Sequence, residues 1–222
     1  MSEGGYVLRG VRVPRRTRAA VIVLHGGAAP DYGVRAATRA TQLSVLRLVP
    51  TAWWIAWRTR GQGIAVYRQR NTWRGWDEQQ GPVHDTRRSL RTIRERHGDV
   101  LVALVGHSLG GRTALLAAQD PQVELVVALN AYVYDSDDPD LAGTQVLLVH
   151  GDDDRVADPA RVHRLAERLS ATGRVSVVQS TVEGGKHGMV GHPRDFDGQA
   201  AWFVGMWAEG VPPPGKRRGV AG

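Results

Sequence analysis

Val100-Leu101-Val102-Ala103-Leu104-Val105-Gly106-His107-Ser108-Leu109-Gly110-Gly111 is the stretch on which the fold turns. Its apolar first half suits a strand buried on both faces of a parallel sheet. A G-x-S-x-G turn follows, and residues 112–119 read as a helix. That strand–turn–helix context makes the motif a candidate nucleophile elbow. A serine on so sharp a turn is strained, and neighbouring backbone passes close to it. Gly106 and Gly110 have no Cβ to obstruct that approach. Ser108 is then held at a strand tip with its hydroxyl facing a cleft. A plain βα connection can have the same local sequence, so a base, an acid and an oxyanion hole must be sought elsewhere in the chain.

Outward from the elbow, apolar runs alternate with helical patterns. Strands are expected at 6–13, 20–24, 64–68, 100–105, 125–129, 146–150 and 175–179. Helices are expected at 84–97, 112–119, 159–171 and 195–208, with Asp158 as N-cap and Pro159 in the first turn of the third. Residues 35–59 form a longer helical region broken or kinked at Pro50. This alternation predicts an α/β fold: a mostly parallel, doubly wound sheet of about seven strands flanked by helices. Residues 1–210 are expected to form a single domain. Residues 211–222, with three consecutive prolines and Lys216-Arg217-Arg218, read as a disordered basic tail.

Composition narrows the function classes. The 222 residues contain no cysteine, which excludes disulfides, zinc–thiolate sites and a cysteine nucleophile. The N-terminus has neither a basic n-region nor an apolar h-region, and no apolar run reaches membrane-spanning length. A cytoplasmic protein without integral membrane association is the expectation. Net charge is +7, yet no helix-turn-helix, RNP-type or zinc-binding pattern accompanies it. The charge reads as a solvated basic surface, and no nucleic-acid partner is expected. The Asp-rich segments lack EF-hand spacing, so no metal site is expected.

A serine hydroxyl needs a base within hydrogen-bond reach, and the base needs an orienting acid. Strand 146–150 runs into Gly151-Asp152-Asp153-Asp154, and the last strand leads to Gly184-Gly185-Lys186-His187-Gly188. Both segments follow the carboxyl ends of strands, which share one crevice in an open parallel sheet. Ser108, an aspartate within 152–154 and His187 can converge there, in the order Ser, Asp, His.

With His25-Gly26-Gly27 after an early strand, these segments resemble the α/β-hydrolase fold over most of residues 6–208. The branch it resembles is small and capless, of the esterase, thioesterase or dienelactone-hydrolase-like kind. The dienelactone enzymes use a cysteine that this chain lacks, so only their architecture carries over. The resemblance implies Ser108 as nucleophile, His187 as general base and Asp154, at the G-x-x-D position, as orienting acid. It implies an oxyanion hole from the backbone N–H groups of Leu109 and Gly27, with Ala28 as the next choice. Asp152 and Asp153 read as loop-capping or solvated residues. The loop 135–140 is a rival source of the acid and His192 a rival base. His25, His107 and His150 read as structural histidines.

The implied activity is cleavage of a carboxylic ester or thioester of a small-molecule acyl substrate, through an acyl-enzyme and without a cofactor. Acyl transfer or cyclisation by the same triad is the alternative, and a non-catalytic ligand-binding protein a further one. Only about sixteen residues separate the strands ending at 129 and starting at 146, too few for a cap domain. Arg70, Trp73, Arg74 and Trp76 are candidate substrate contacts, the arginines for a carboxylate or phosphate and the tryptophans for an acyl or aromatic group. Trp53 and Trp57 share a helical face with Trp54 beside them, and core packing is the expectation for them. An acyl-binding wall or an anchor at a lipid interface is the sharper reading.

Overall fold

The computed structural model describes residues 5–28 and 36–211. Seven strands form one sheet: β1 (Val7–Arg12), β2 (Ala19–Leu24), β3 (Ile64–Arg70), β4 (Leu101–His107), β5 (Val123–Leu129), β6 (Gln145–Gly151) and β7 (Ser176–Val182). Their order is β1-β3-β2-β4-β5-β6-β7. Only β1 runs antiparallel, against β3. All seven expected strands are present, so the fold is the expected doubly wound α/β sheet. No described helix is long and apolar enough to cross a membrane.

The helices are α1 (Leu43–Leu46), α2 (Leu48–Arg58), α3 (Gly81–His97), α4 (Leu109–Ala117), α5 (Pro159–Ala171) and α6 (Gln199–Gly210). Side chains alternate across the sheet, so β2 feeds two cores. Ala20, Ile22 and Leu24 pack with Leu90 and Ile93 of α3, Leu115 of α4 and Leu165 of α5. Ala19, Val21 and Val23 pack with Leu48 and Ile55 of α2 and with Val204 and Trp207 of α6. A strand covered on both sides has no use for polar residues, which is why β2 and β4 read as continuous apolar runs. The edge strands β1 and β7 are partly exposed along most of their length.

The segment after residue 35 breaks at Arg47, and Pro50 falls in the first turn of α2, where its missing N–H costs nothing. Helix α4 begins at Leu109, earlier than residue 112, because the two glycines in its first turn are held by packing rather than propensity. A π-turn over Arg194–Gly198 leads into α6. The tail at 212–222 lies outside the described residues. Val211, placed with it from sequence, is instead buried in the core beside α6. The connection from β5 to β6, residues 130–144, contains no helix, so no cap is inserted there.

Two glycines make the central turn possible. A Cβ on Gly106 would lie 2.1 Å from the carbonyl oxygen of Gly110, and one on Gly110 would lie 2.2 Å from that of Leu24. Both contacts are to backbone, so no rotamer change relieves them. Gly106→Ala or Gly110→Ala is expected to cost more than about 4 kcal/mol. Chemical denaturation and soluble yield measure the loss, and a near-native midpoint for either variant would contradict this packing.

Candidate active site

Ser108 sits between β4 and α4 with φ 55° and ψ −120°, a backbone conformation a non-glycine residue rarely adopts. Such a conformation costs on the order of 1–3 kcal/mol and persists only where its surroundings over-determine it. They do so here. The Ser108 N–H donates to Leu129 O at 2.9 Å. Its carbonyl accepts from the N–H groups of Gly111 (2.9 Å), Tyr132 (3.1 Å) and Arg112 (3.2 Å). The turn is tied to its own helix and to the end of β5.

His187 Nε2 lies 2.9 Å from Ser108 Oγ, and His187 Nδ1 lies 2.8 Å from Asp154 Oδ2. The electrostatics fix the proton positions along this chain. Burial of Asp154 works against its charge, but hydrogen bonds from His150, His187, Ala157 and Val156 outweigh it and hold the carboxyl well below the usual range. An ionised Asp154 can only accept, so His187 carries its proton on Nδ1 and presents a free lone pair on Nε2 to the Ser108 hydroxyl. Asp154 Oδ1 is held in turn by the N–H groups of Val156 (2.8 Å) and Ala157 (3.0 Å).

The rival residues are engaged elsewhere. Asp137, in the rival acidic loop, is buried and grips Arg112 through two guanidinium nitrogens at 2.7–3.2 Å. Asp135 pairs with Arg164. Asp152 accepts from the Gly184 N–H, and Asp153 faces Arg155. His192 stands 3.4 Å from Asp195.

Leu109 opens α4, where the first N–H groups lack intrahelical acceptors. Gly27 lies against it: a Cβ there would come 2.6 Å from a Leu109 methyl and 2.3 Å from Arg74 O. The Ala28 N–H already donates to Arg74 O at 2.8 Å, which leaves Gly27 as the better placed of the two oxyanion-hole candidates on that loop. Of the candidate substrate contacts, exposed Trp73 and Arg74 share the segment that borders Gly27. Trp76 instead stacks beneath Arg112 at 4.0 Å, and Arg70 reaches Gly5 O. Among the described residues no cluster of His, Asp or Glu is arranged to hold a metal ion.

Sequence reading missed three supports of the His187 loop. Asn130 is fully buried with φ 43°, a conformation asparagine tolerates better than most residues. Its Nδ2 donates to Lys186 O (3.0 Å) and His187 O (3.1 Å), while its Oδ1 accepts from Gly151 N–H (2.9 Å). One side chain thus joins the loop bearing Asp154 to the loop bearing His187. His107 Nε2 donates to the same His187 carbonyl at 2.7 Å. Arg47 reaches Gly188 O (2.8 Å) and Met189 O (3.4 Å) while paired with buried Asp197. The only sequence signal for Asn130 was its place at the end of a strand beside the elbow.

The family profile described as alpha/beta hydrolase matches residues 83–201, more than half of the chain. The protein belongs to the alpha/beta hydrolase family. Solved structures similar to this hydrolase include a protein of unknown function from Agrobacterium tumefaciens assigned to the same fold. It is 21% identical at TM-score 0.70, with 93% of this chain and 94% of that one covered. A serine hydrolase without lid from Xanthomonas campestris is 20% identical at TM-score 0.64, covering 96% and 89%. An acetyl ester-xyloside bifunctional hydrolase from Caldicellulosiruptor lactoaceticus is 16% identical at TM-score 0.65, covering 92% and 87%. No curated protein matches the chain.

Two expected outcomes concern the framework of the site. Asn130→Ala strands the Gly151 N–H, takes one of two donors from each of the Lys186 and His187 carbonyls, and removes a residue suited to positive φ, for a loss of roughly 2–4 kcal/mol. A urea midpoint equal to wild type would argue against the staple. Burial pushes His107 down to about 3 and His25 down to about 4, from 6.5. Below pH 6.5 the unfolded chain therefore binds more protons than the folded one, and acid favours unfolding down to those folded values. Each of the two histidines is expected to withdraw roughly 2 kcal/mol of stability between pH 8 and pH 5. Denaturation at the two pH values measures this, and equal stability would refute it.

Proposed function

We propose that this hydrolase cleaves carboxylic ester or thioester bonds through an acyl-enzyme on Ser108. The observation that carries the reading is the unbroken chain from Ser108 Oγ through His187 to Asp154, at 2.9 and 2.8 Å, on a strained strand-to-helix turn. A structural serine needs no such backbone conformation and no buried, ionised partner two bonds away.

In this reading the Ser108 oxygen attacks the acyl carbon as its proton passes to His187 Nε2. The carbonyl oxygen becomes an oxyanion and accepts from the Leu109 and Gly27 N–H groups, each contributing roughly 3–4 kcal/mol. Asp154 stays ionised and stabilises the imidazolium. Collapse breaks the bond to the alcohol or thiol, which leaves with the proton from His187. Water, deprotonated by the same nitrogen, then attacks the acyl-enzyme. The acid departs and Ser108 regains its proton. With no inserted cap, the crevice suits small to medium acyl groups approached from an open side, with Trp73 and Arg74 as candidate contacts.

The test combines an ester and thioester panel with a fluorophosphonate probe. Wild type is expected to label at Ser108 and to turn over at least one ester or thioester. Ser108→Ala is expected to abolish labelling and to lower turnover by roughly 10⁴-fold or more. Folded wild-type protein that neither labels nor turns over any substrate would sink the proposal.

A further inference from the structure

Trp53 and Trp57 are 61% and 65% exposed, not packed in the core as their spacing suggested. The other side of α2 explains this. Leu48, Thr51, Ala52 and Ile55 already fill the contact with the sheet, so the opposite face of the helix must point outward. Along that outward face, exposed Pro50, Trp53 and Trp57 fall at intervals of three and four, and exposed Leu46 of α1 precedes them, which makes one stripe without a charged residue. Helix α6 extends it. The Cβ position of Gly198 approaches Trp54 at 3.2 Å and that of Gly205 approaches Arg58 at 2.8 Å, so the two helices lie side by side. Trp202, between those contact points on α6, is 58% exposed. An uncharged stripe of this kind on a helix that is already packed is not a feature of an ordinary solvated surface.

Charge identifies what the face meets. Residues 32–76, the segment that contains α2, hold eight of the 29 basic residues and none of the 22 acidic ones. The remainder of the chain nets −1, so this segment accounts for the whole of the net charge of +7. Of its arginines, Arg47 and Arg58 are paired with Asp197 and Glu209, whereas Arg60 lies over the Trp57 ring at 4.5 Å, which sets a cation at the end of the stripe. A two-fold contact between copies through this face would bring two such cationic segments together. An anionic surface would instead neutralise them. Tryptophan rings beside arginines suit the headgroup layer of a bilayer, where the ring is half solvated and its N–H finds acceptors.

We propose that the outward face of α2, with Trp202 of α6, docks onto bilayers containing anionic phospholipid. Binding is peripheral, with the tryptophans inserted among the headgroups and Arg60 against the phosphates. The proposal is independent of the hydrolytic reading, and its test needs no turnover.

Full-length protein is sedimented with phosphatidylcholine vesicles, with and without phosphatidylglycerol, and wild type is compared with a Trp53→Ser/Trp57→Ser variant. Wild type is expected to partition at least about tenfold more strongly onto the anionic vesicles, less so as salt is raised. The variant, checked for folding by circular dichroism, is expected to lose about tenfold or more of that partitioning. Absence of wild-type binding to anionic vesicles overturns the proposal whatever the variant does. So does equal binding to both vesicle types, or undiminished binding by a folded variant. Analytical ultracentrifugation without lipid covers the other occupant: a wild-type dimer that the variant converts to monomer would assign the face to a second copy.

Discussion

The approach of the Gly110 carbonyl into the space a Cβ on Gly106 would fill controls the rest of the site. It lets β4 reverse into α4 within a few residues, which raises Ser108 above the sheet and leaves the first amides of α4 facing the same space. Parallel strands then do the remaining positioning. Because β2, β4, β5 and β6 run the same way, every loop after their carboxyl ends rises on one side. Residues more than seventy positions apart in sequence are brought to the same side of the sheet in this way.

Direction alone gives a crevice, not a hydrogen-bonded chain accurate to a few tenths of an ångström. That accuracy comes from polar groups buried among the loops. Asn130, His107 and Arg47 take hold of consecutive carbonyls from Lys186 to Met189. The loop bearing His187 is thus fixed through its backbone, which leaves the imidazole free to satisfy Asp154 and Ser108. His25 makes a similar link on the other side, its Nε2 accepting the Asn71 N–H below the segment that borders Gly27. Burial keeps His25 and His107 neutral, so these struts add no charge beside the ionised Asp154.

Much of this was legible in the sequence because it rests on local pattern. Continuous apolar runs marked the strands, and G-x-S-x-G between a strand and a helix marked the turn. The segments holding Asp154 and His187 followed from where strands end. The less legible parts depend on which face wins. The spacing of Trp53 and Trp57 is that of a core-facing pair, but Leu48, Ala52 and Ile55 occupy the opposite face of the same helix and fill the core first. Helix α4 starts at a residue followed by two glycines, which propensity opposes and packing overrides. Asn130 carries no motif at all. Its importance lies in two loops that reach it from sequence positions 21 and more than fifty residues away.

The unusual dihedrals of Ser108 have a consequence for how such a position can change over time. Glycine is the residue that backbone prefers, and the surrounding hydrogen bonds are all made by main-chain atoms that any residue supplies. Drift toward a more comfortable chain therefore leads directly to loss of the hydroxyl. If the hydroxyl is what selection retains, this turn is a place where thermodynamic ease and usefulness point in opposite directions, and the serine marks which of them has prevailed.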